Sequence, residues 1–394
     1  MNQQPADEGR ADIHVCLISQ QATPNLTPLL DPSFAPRQVV MLVSAEMRER
    51  ARWLAEVIKP RGISVQNLEV SDPWDMQALV GELLTWLDKL DSESTVALNV
   101  TGGTKPMAMA AQQAFAIADR PVFYVHQARD EVMWLTPGKR PARALVNRLK
   151  LEDYLHAHGW QVINRPPPPA RSEPFRRLTD ELAMQVGSLA PALGTLNWYA
   201  QRCHQEQRLE IALEKSDAAK PGFVALLQKF SAAGACTERG GRLSFPNEDA
   251  RFFCNGGWLE HHVHGVLAGI KARTGAIQDL AMGLKVRSLD NRLKGNAGSN
   301  ELDLAFLAHN RLHIVECKTR SFGEHDSSAD AVYKLDALTA LGGLNTQAML
   351  VSYRELQDGD RQRAHDLRIQ TVVGGGINNL EQLLLRWMGG ASST

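Results

Sequence analysis

The chain is poor in the features that mark secreted, membrane-bound or broadly cationic proteins. Its five cysteines (Cys16, Cys203, Cys236, Cys254, Cys317) are an odd number in 394 residues, with no C-x-x-C pair. That excludes a disulfide framework and a zinc knuckle and fits reduced thiols in a cytosol. No apolar run approaches the roughly 20 residues that span a bilayer. The first stretch, Met1–Ala11, is polar and acidic, so neither a signal peptide nor a membrane partner is expected, and a cytoplasmic protein is. The formal net charge is −1, so any nucleic acid must be met by a local patch and not by bulk charge. The Walker pattern and the dinucleotide fingerprint are both missing, and no internal repeat is visible. Hydrophobic residues, at 44%, do support sizeable cores, and the length allows two or three domains.

Residues 13–136 alternate strand and helix signals. Strands are expected at Ile13–Ile18, Gln38–Val43, Ile63–Val70, Thr95–Val100, Pro121–Val125 and Val132–Leu135. Helices are expected at Glu46–Ile58, from Ser71-Asp72-Pro73 through Leu90, and at Pro106–Ala118. A proline-dotted loop (Pro24, Pro28, Pro32, Pro36) separates the first two strands. Such alternation predicts a mostly parallel sheet with helices on both faces. A helix around Leu149–Leu155, ending at Gly159, comes next, and Pro166–Pro169 reads as a linker. Residues 175–235 are helical in pattern. The segment Val224–Phe245, with its Gly240-Gly241 turn, is preferred as a spacer over a small winged helix. From residue 252 onward the order is a helix, three strands, a helix, two further strands and a last helix.

Two stretches carry chemistry. In Asn99-Val100-Thr101-Gly102-Gly103-Thr104-Lys105-Pro106-Met107, between a strand and a helix, two glycines let backbone N–H groups approach a ligand. The hydroxyls of Thr101 and Thr104, the Lys105 ammonium and the helix N-terminus favour an anion. The plain alternative is a tight strand–helix turn.

The second stretch is a hairpin. Leu302, Leu304 and Phe306 alternate with Glu301 and Asp303, His309-Asn310-Arg311 forms a polar turn, and Glu316 and Lys318 share a face of the returning strand. Pairing brings Asp303 beside Glu316 and Lys318, a minimal site for a hard divalent cation; the plain alternative is a structural ion pair. Cys317 points to the opposite face and reads as core. Lys285, Arg287, Arg292 and Lys294, with Gly295, Gly298 and Ser299, read as a basic loop suited to a phosphate backbone. His261, His262 and His264 lack zinc partners and read as a polar helix surface.

The T-G-G-T-K run resembles the CARF domain of CRISPR-associated effectors, which bind cyclic oligoadenylates as homodimers. That resemblance implies ligand contacts from Thr101, Gly102, Gly103, Thr104 and Lys105. By position it also implies Ser19, Gln20 and Thr23 after the first strand, and Ser44 and Glu46 after the second. The Asp303…Glu316-Cys317-Lys318 pattern resembles the PD-(D/E)xK restriction-endonuclease-like fold, without the proline of that name. Many members add a helix glutamate, for which Gly256-Gly257-Trp258-Leu259-Glu260 supplies Glu260. By that resemblance Asp303, Glu316 and the Cys317 backbone carbonyl hold Mn2+ or Mg2+, Lys318 positions the attacking water, and Glu260 assists. Tyr333 and Lys334 are possible auxiliary contacts.

Together the parts resemble the CRISPR ancillary nucleases activated by cyclic tetraadenylate. The implied architecture is α/β throughout: a Rossmann-like CARF domain (1–148), a linker and helical or winged segment (149–250), and a PD-(D/E)xK nuclease domain (251–394). The implied activity is a metal-dependent, messenger-gated cut of DNA, RNA or both, single strands foremost, by a homodimer. A ligand-responsive transcription regulator and a ring nuclease that degrades the messenger are the alternatives.

Overall fold

The computed structural model describes residues 10–127, 129–136, 140–146, 149–167, 172–290, 299–319 and 328–389. The first unit contains β1 (Ile13–Leu17), α1 (Thr23–Leu30), β2 (Gln38–Val43), α2 (Arg48–Ile58), β3 (Ser64–Glu69), α3 (Met76–Leu87), β4 (Val96–Asn99), α4 (Lys105–Ile117), β5 (Val122–His126), β6 (Glu131–Thr136) and β7 (Arg143–Ala144). Its seven strands run in the order β3-β2-β1-β4-β5-β6-β7. Strands β1 to β5 are parallel, and β6 and β7 turn back antiparallel. Strands β1 and β2 are almost wholly buried, because helices cover both faces and leave no side for water. Leu79, Leu83, Ala110 and Ala114 of α3 and α4 pack one face. Leu26 and Leu29 of α1 and Leu54 and Ile58 of α2 pack the other.

Two expectations fail in this unit. The proline-dotted loop is partly the helix α1, with Pro24 in its first turn and Pro28 inside it. Proline is tolerated where no intrahelical N–H is required, and burial of Leu26 and Leu29 outweighs the bond lost at Pro28. The helix expected at Ser71-Asp72-Pro73 starts later. Asp75 is its N-cap and accepts from the Ala78 N–H, while Asp72 folds a turn by accepting from the Trp74 N–H.

Next come α5 (Leu151–Ala157) and β8 (Trp160–Asn164). Strand β8 was not anticipated. It leaves the first unit and becomes the edge of a different sheet, pairing antiparallel with β12. Of the proline linker, Pro168 and Pro169 lie outside the described residues.

The middle segment holds α6 (Glu173–Met184), α7 (Val186–Gln205), β9 (Glu210–Ala212), α8 (Lys215–Ala218), α9 (Pro221–Ala232), β10 (Thr237–Arg239) and β11 (Arg242–Ser244). Strands β10, β11 and β9 form a small antiparallel sheet beside the helices. The three short strands beside the helices have the arrangement of the winged-helix alternative named above. The wing was hard to see because its strands have three residues each and only Ile211 and Leu243 point inward.

The last unit contains α10 (Glu248–Phe252), a π-helical turn (Phe253–Gly257), α11 (Trp258–Thr274), β12 (Ile277–Ser288), β13 (Ser299–Ala308), β14 (Arg311–Lys318), α12 (Ser328–Thr339), β15 (Gln347–Ser352), α13 (Asp358–Asp366), β16 (Gln370–Val373) and α14 (Leu380–Gly389). Its sheet runs β16-β15-β14-β13-β12-β8. The β13–β14 loop is His309-Asn310, both at positive φ (50° and 52°). That is the turn whose twist matches an antiparallel hairpin. His262 and His264 are buried and not on a polar surface, because α6 and α14 pack over α11. Arg292, Lys294, Gly295 and Gly298 of the basic stretch lie outside the described residues. Lys285 and Arg287 sit on β12 itself, facing Glu301 at 3.3 Å and Gln161 at 3.0 Å.

The first and last units share a core. Cys16, Met41 and Leu54 of the first unit, Tyr154 and Leu155 of α5, and Leu302, Ile314 and Leu335 of the last unit belong to one buried apolar cluster. Asn310 at the hairpin tip also donates to Asp130 of the first unit at 2.7 Å.

Candidate functional site

Strand β14 ends in the chemistry. Its register sets Leu304 opposite Val315, so Asp303 and Glu316 lie across from one another, and the Cys317 N–H donates to Asp303 Oδ2 at 2.8 Å. Glu260 arrives from α11. The turn before that helix is possible only with glycine: Gly256 has φ +97°, and a β-carbon there would lie 1.8 Å from Thr319 Oγ1. Such π-turns re-aim side chains at functional sites. Glu260, Asp303, Glu316 and Lys318, all expected from sequence, line one cavity of about 330 Å3.

The cavity is electrostatically unsettled. Burial, and after it the Glu316 charge, pushes the Asp303 carboxyl up to about 7. Burial, then the charges of Asp303 and Glu316, holds Glu260 well above the usual carboxylate range. Glu316 is 1% exposed. Its Oε1 receives two ammonium groups, Lys318 Nζ at 2.9 Å and Lys334 Nζ at 2.7 Å. Its Oε2 is buried without a hydrogen-bond partner among the described residues. A buried carboxylate oxygen with no donor is costly.

These groups fit a hard divalent ion: the donors are oxygens, they repel one another, and one of them is orphaned. Among the described residues no three acidic, histidine or cysteine side chains could hold an ion by themselves. The fit rests on the two carboxylates, Asp303 and Glu316, which line the cavity together. The Cys317 side chain itself packs in the core, and burial pushes its thiol well up.

Lys334 comes from α12 and is the functional candidate that spacing could not rank, since nothing local to residue 334 ties it to Glu316. Tyr333 beside it does not join the site; its ring lies under the Arg363 guanidinium. The winged unit reaches the site's edge. Asn197 of α7 donates to the Thr319 carbonyl at 2.9 Å, and Asn255 donates to Gln201 of α7 at 2.8 Å. Lys220 pairs with Asp217 and Lys229 with Glu181.

A second cavity, about 340 Å3, opens at the carboxyl ends of β1, β2 and β4. Ser19, Gln20, Ser44, Glu46, Gly103 and Thr104 line it, as expected from sequence. Thr104 also caps α4, accepting from the Met107 N–H. Lys105 is exposed at the first turn of α4 and is not among the lining residues. Three expected contacts turn inward instead. The Thr101 hydroxyl donates to Asn99 Oδ1 and accepts from the Val125 N–H, both at 2.7 Å. Gly102 is pressed on the Leu17 carbonyl, where a β-carbon would stand 2.2 Å away. Thr23 is buried beside the phenol of Tyr154. Trp74, 68% exposed, Ser71 and Met107 line the cavity and were not anticipated.

A ligand-sensing α/β domain joined to an endonuclease is the class these two sites define. The family described as Card1 CARF domain matches residues 13–154, and that described as Card1-like endonuclease domain matches residues 247–390. The chain belongs to the Card1-like CARF endonucleases. Among solved structures it is similar to protein VC1899 from Vibrio cholerae, at 29% identity and TM-score 0.88 over 97% of this chain and 99% of that one. It is also similar to Can2 from Sulfobacillus thermosulfidooxidans, solved in complex with cyclic tetra-adenylate, at 28% identity and TM-score 0.77 over 96% and 98%. A type III CRISPR defence DNA nuclease activated by cyclic oligoadenylate shares the fold at 20% identity and TM-score 0.55, over 88% of this chain and 46% of that one. No curated protein matches the chain in sequence. Among the described residues no helix is long and apolar enough to cross a membrane.

Proposed function

We propose that the chain is a messenger-gated nuclease of type III CRISPR defence, with a cyclic oligoadenylate, cyclic tetraadenylate first, as activator and single-stranded nucleic acid as substrate. The observation that carries this reading is the pairing, in one chain, of the Glu260–Asp303–Glu316–Lys318 cavity with a CARF cavity rimmed by hydroxyls and the α4 N-terminus. The Can2 complex supports the choice of ligand.

In the nuclease cavity Asp303, Glu316 and the Cys317 carbonyl would hold Mn2+ or Mg2+. When bound, the ion makes water a better nucleophile and offsets charge developing on the phosphate. Lys318 and Lys334 meet the phosphate oxygens as fixed cations, and Glu316 orients both ammonium groups. Glu260, facing the same cavity from α11, orients Lys318.

In the CARF cavity Ser19, Gln20, Ser44, Glu46, Gly103 and Thr104 meet the messenger, and Lys105 adds positive charge at the rim. A homodimer suits a ring ligand on a two-fold axis. Met109 and Ile117 of α4, 60% and 61% exposed, offer the apolar face for a second copy.

Gating runs through the shared core. Gln21, in the loop that carries Ser19 and Gln20, lies against Gly343, where a β-carbon would come 2.6 Å from Gln21 Nε2. Tyr154 donates from its phenol to the Gly342 carbonyl at 2.8 Å, beside Thr23 and Leu312. Leu312 lies near the start of β14, the strand that carries Glu316, and Gly342 lies in the turn that follows α12, the helix that carries Lys334.

The test is cleavage of single- and double-stranded DNA and RNA with manganese, with and without cyclic tetraadenylate. Cutting that appears only with the messenger is expected. Equal cutting in both would remove the gating, and no cutting of any substrate would remove the nuclease reading.

A further inference from the structure

The nuclease cavity has an aromatic wall that the proposed chemistry does not use. Phe252, the last residue of α10, lines the cavity and is 39% exposed, whereas its neighbour Phe253 is buried. The chain is built to hold that ring. Gly257 lies under it, and a β-carbon at Gly257 would come 2.5 Å from Phe252 Cε1 and 2.6 Å from Cδ1. Three residues on, Asn255 lines the same cavity. Its Nδ2 is satisfied by Gln201, but its Oδ1 is buried without a partner among the described residues. Turning the amide over would only exchange which of its polar atoms is left over.

Proteins hold an unstacked nucleobase with an aromatic face and a hydrogen-bonding group aimed at the base edge. Both stand here within one helical turn, beside a phosphodiester-cutting centre. We infer that Phe252 and Asn255 form a nucleobase subsite, in which the base next to the scissile phosphate stacks on Phe252 and gives an N–H to Asn255 Oδ1. The subsite presupposes the nuclease reading of this cavity and adds to it a position that holds a base of the single strand. The nucleotide at that position must be unpaired, because in a duplex both faces of its base are covered and its N–H groups are engaged. A phosphodiester without a base at that position should be a poor ligand.

Binding can be read without cleavage, using full-length Glu316→Gln protein with cyclic tetraadenylate and Mg2+. Dye-labelled single-stranded oligonucleotides carry one abasic unit moved along the strand, and anisotropy gives Kd. One abasic position should weaken binding about tenfold. Phe252→Leu should weaken binding of the intact strand to a similar extent, yet change binding of that abasic strand less than about twofold. Phe252→Tyr, which keeps the ring face, should restore the intact strand. Equal losses on intact and abasic strands would mean that Phe252 only supports the fold, and would overturn the subsite. So would no loss on either, or no abasic position that matters. Cleavage by the wild-type protein is scored separately. Its absence with messenger and manganese would overturn the nuclease reading, while the abasic scan still decides whether a base is held.

Discussion

Replacing Tyr154 by phenylalanine removes one oxygen that joins the two sites. In the wild-type protein that oxygen donates to the Gly342 carbonyl at 2.8 Å and lies beside Thr23 and Leu312, fully buried. Burial pushes the phenol up to about 12, so it stays a neutral donor at any working pH. Phenylalanine keeps the ring, its stacking on His158 at 4.4 Å and its place in the shared core. What changes is polar: the buried Gly342 carbonyl loses its donor, and Thr23 and Leu312 lose a polar neighbour. Each unsatisfied buried group costs about 1–3 kcal/mol, partly recovered by relaxation, so a stability loss of about 2 kcal/mol is expected. Activation should suffer out of proportion. Allosteric couplings amount to about 1–3 kcal/mol, and losing about 1 kcal/mol of that lowers the messenger-on to messenger-off rate ratio roughly fivefold. The assay is cleavage of a single-stranded oligonucleotide over a range of cyclic tetraadenylate, beside calorimetric measurement of messenger binding. Linkage adds a check. If the hydroxyl carries coupling, a bound uncleaved strand should tighten messenger binding in the wild-type protein and do so less in the variant. A variant that is destabilised but keeps the wild-type rate ratio would refute the relay.

Glu316→Gln should keep messenger binding and lose at least about a hundredfold in cleavage, since it removes the charge that organises both lysines; retained cleavage would misplace the site. Asp303 gives a pH prediction. Its raised carboxyl means that the folded, metal-free protein binds more protons than the unfolded chain, so this stability is present below roughly pH 4 and is lost as pH rises through about 7. The melting temperature of the metal-free wild type should therefore fall from pH 5 to pH 8 more steeply than that of Asp303→Asn, and parallel curves would refute this. Gly256→Ala should destabilise by at least about 2 kcal/mol in urea titration and abolish cleavage, from left-handed strain plus the clash with Thr319. Ile117→Glu should convert a dimer into a monomer by light scattering; an unchanged mass would move the interface elsewhere.

The nuclease hairpin was legible because a strand alternates and a two-residue turn fixes register: Glu301, Asp303, Glu316 and Lys318 could be placed by counting. Glu260 was legible only through a resemblance, since its approach depends on the left-handed turn at Gly256. Lys334 was not rankable, because α12 brings it to Glu316 across tertiary space. Thr101 shows the converse failure. Its hydroxyl suits an anion, but the next strand claims it through the Val125 N–H, and no local pattern announces that. Strand β8 escaped notice because five residues between Gly159 and a proline run look like a tail of the preceding helix. Its identity as a strand comes entirely from the partner β12.

That strand has a practical corollary for anyone wishing to isolate the cutting half of the molecule. A fragment trimmed to begin at residue 172 would keep every side chain of the proposed nuclease site and lose Trp160–Asn164, the strip that closes β12. The exposed backbone of β12 would then be free to recruit another copy, which is how sheets begin to aggregate. Arg165 would go too, abandoning Asp279, which it grips at 2.7 Å. The sensor thus lends the scissors part of their handle, and an attempt to free the nuclease from control by truncation should yield insoluble protein rather than an unregulated enzyme.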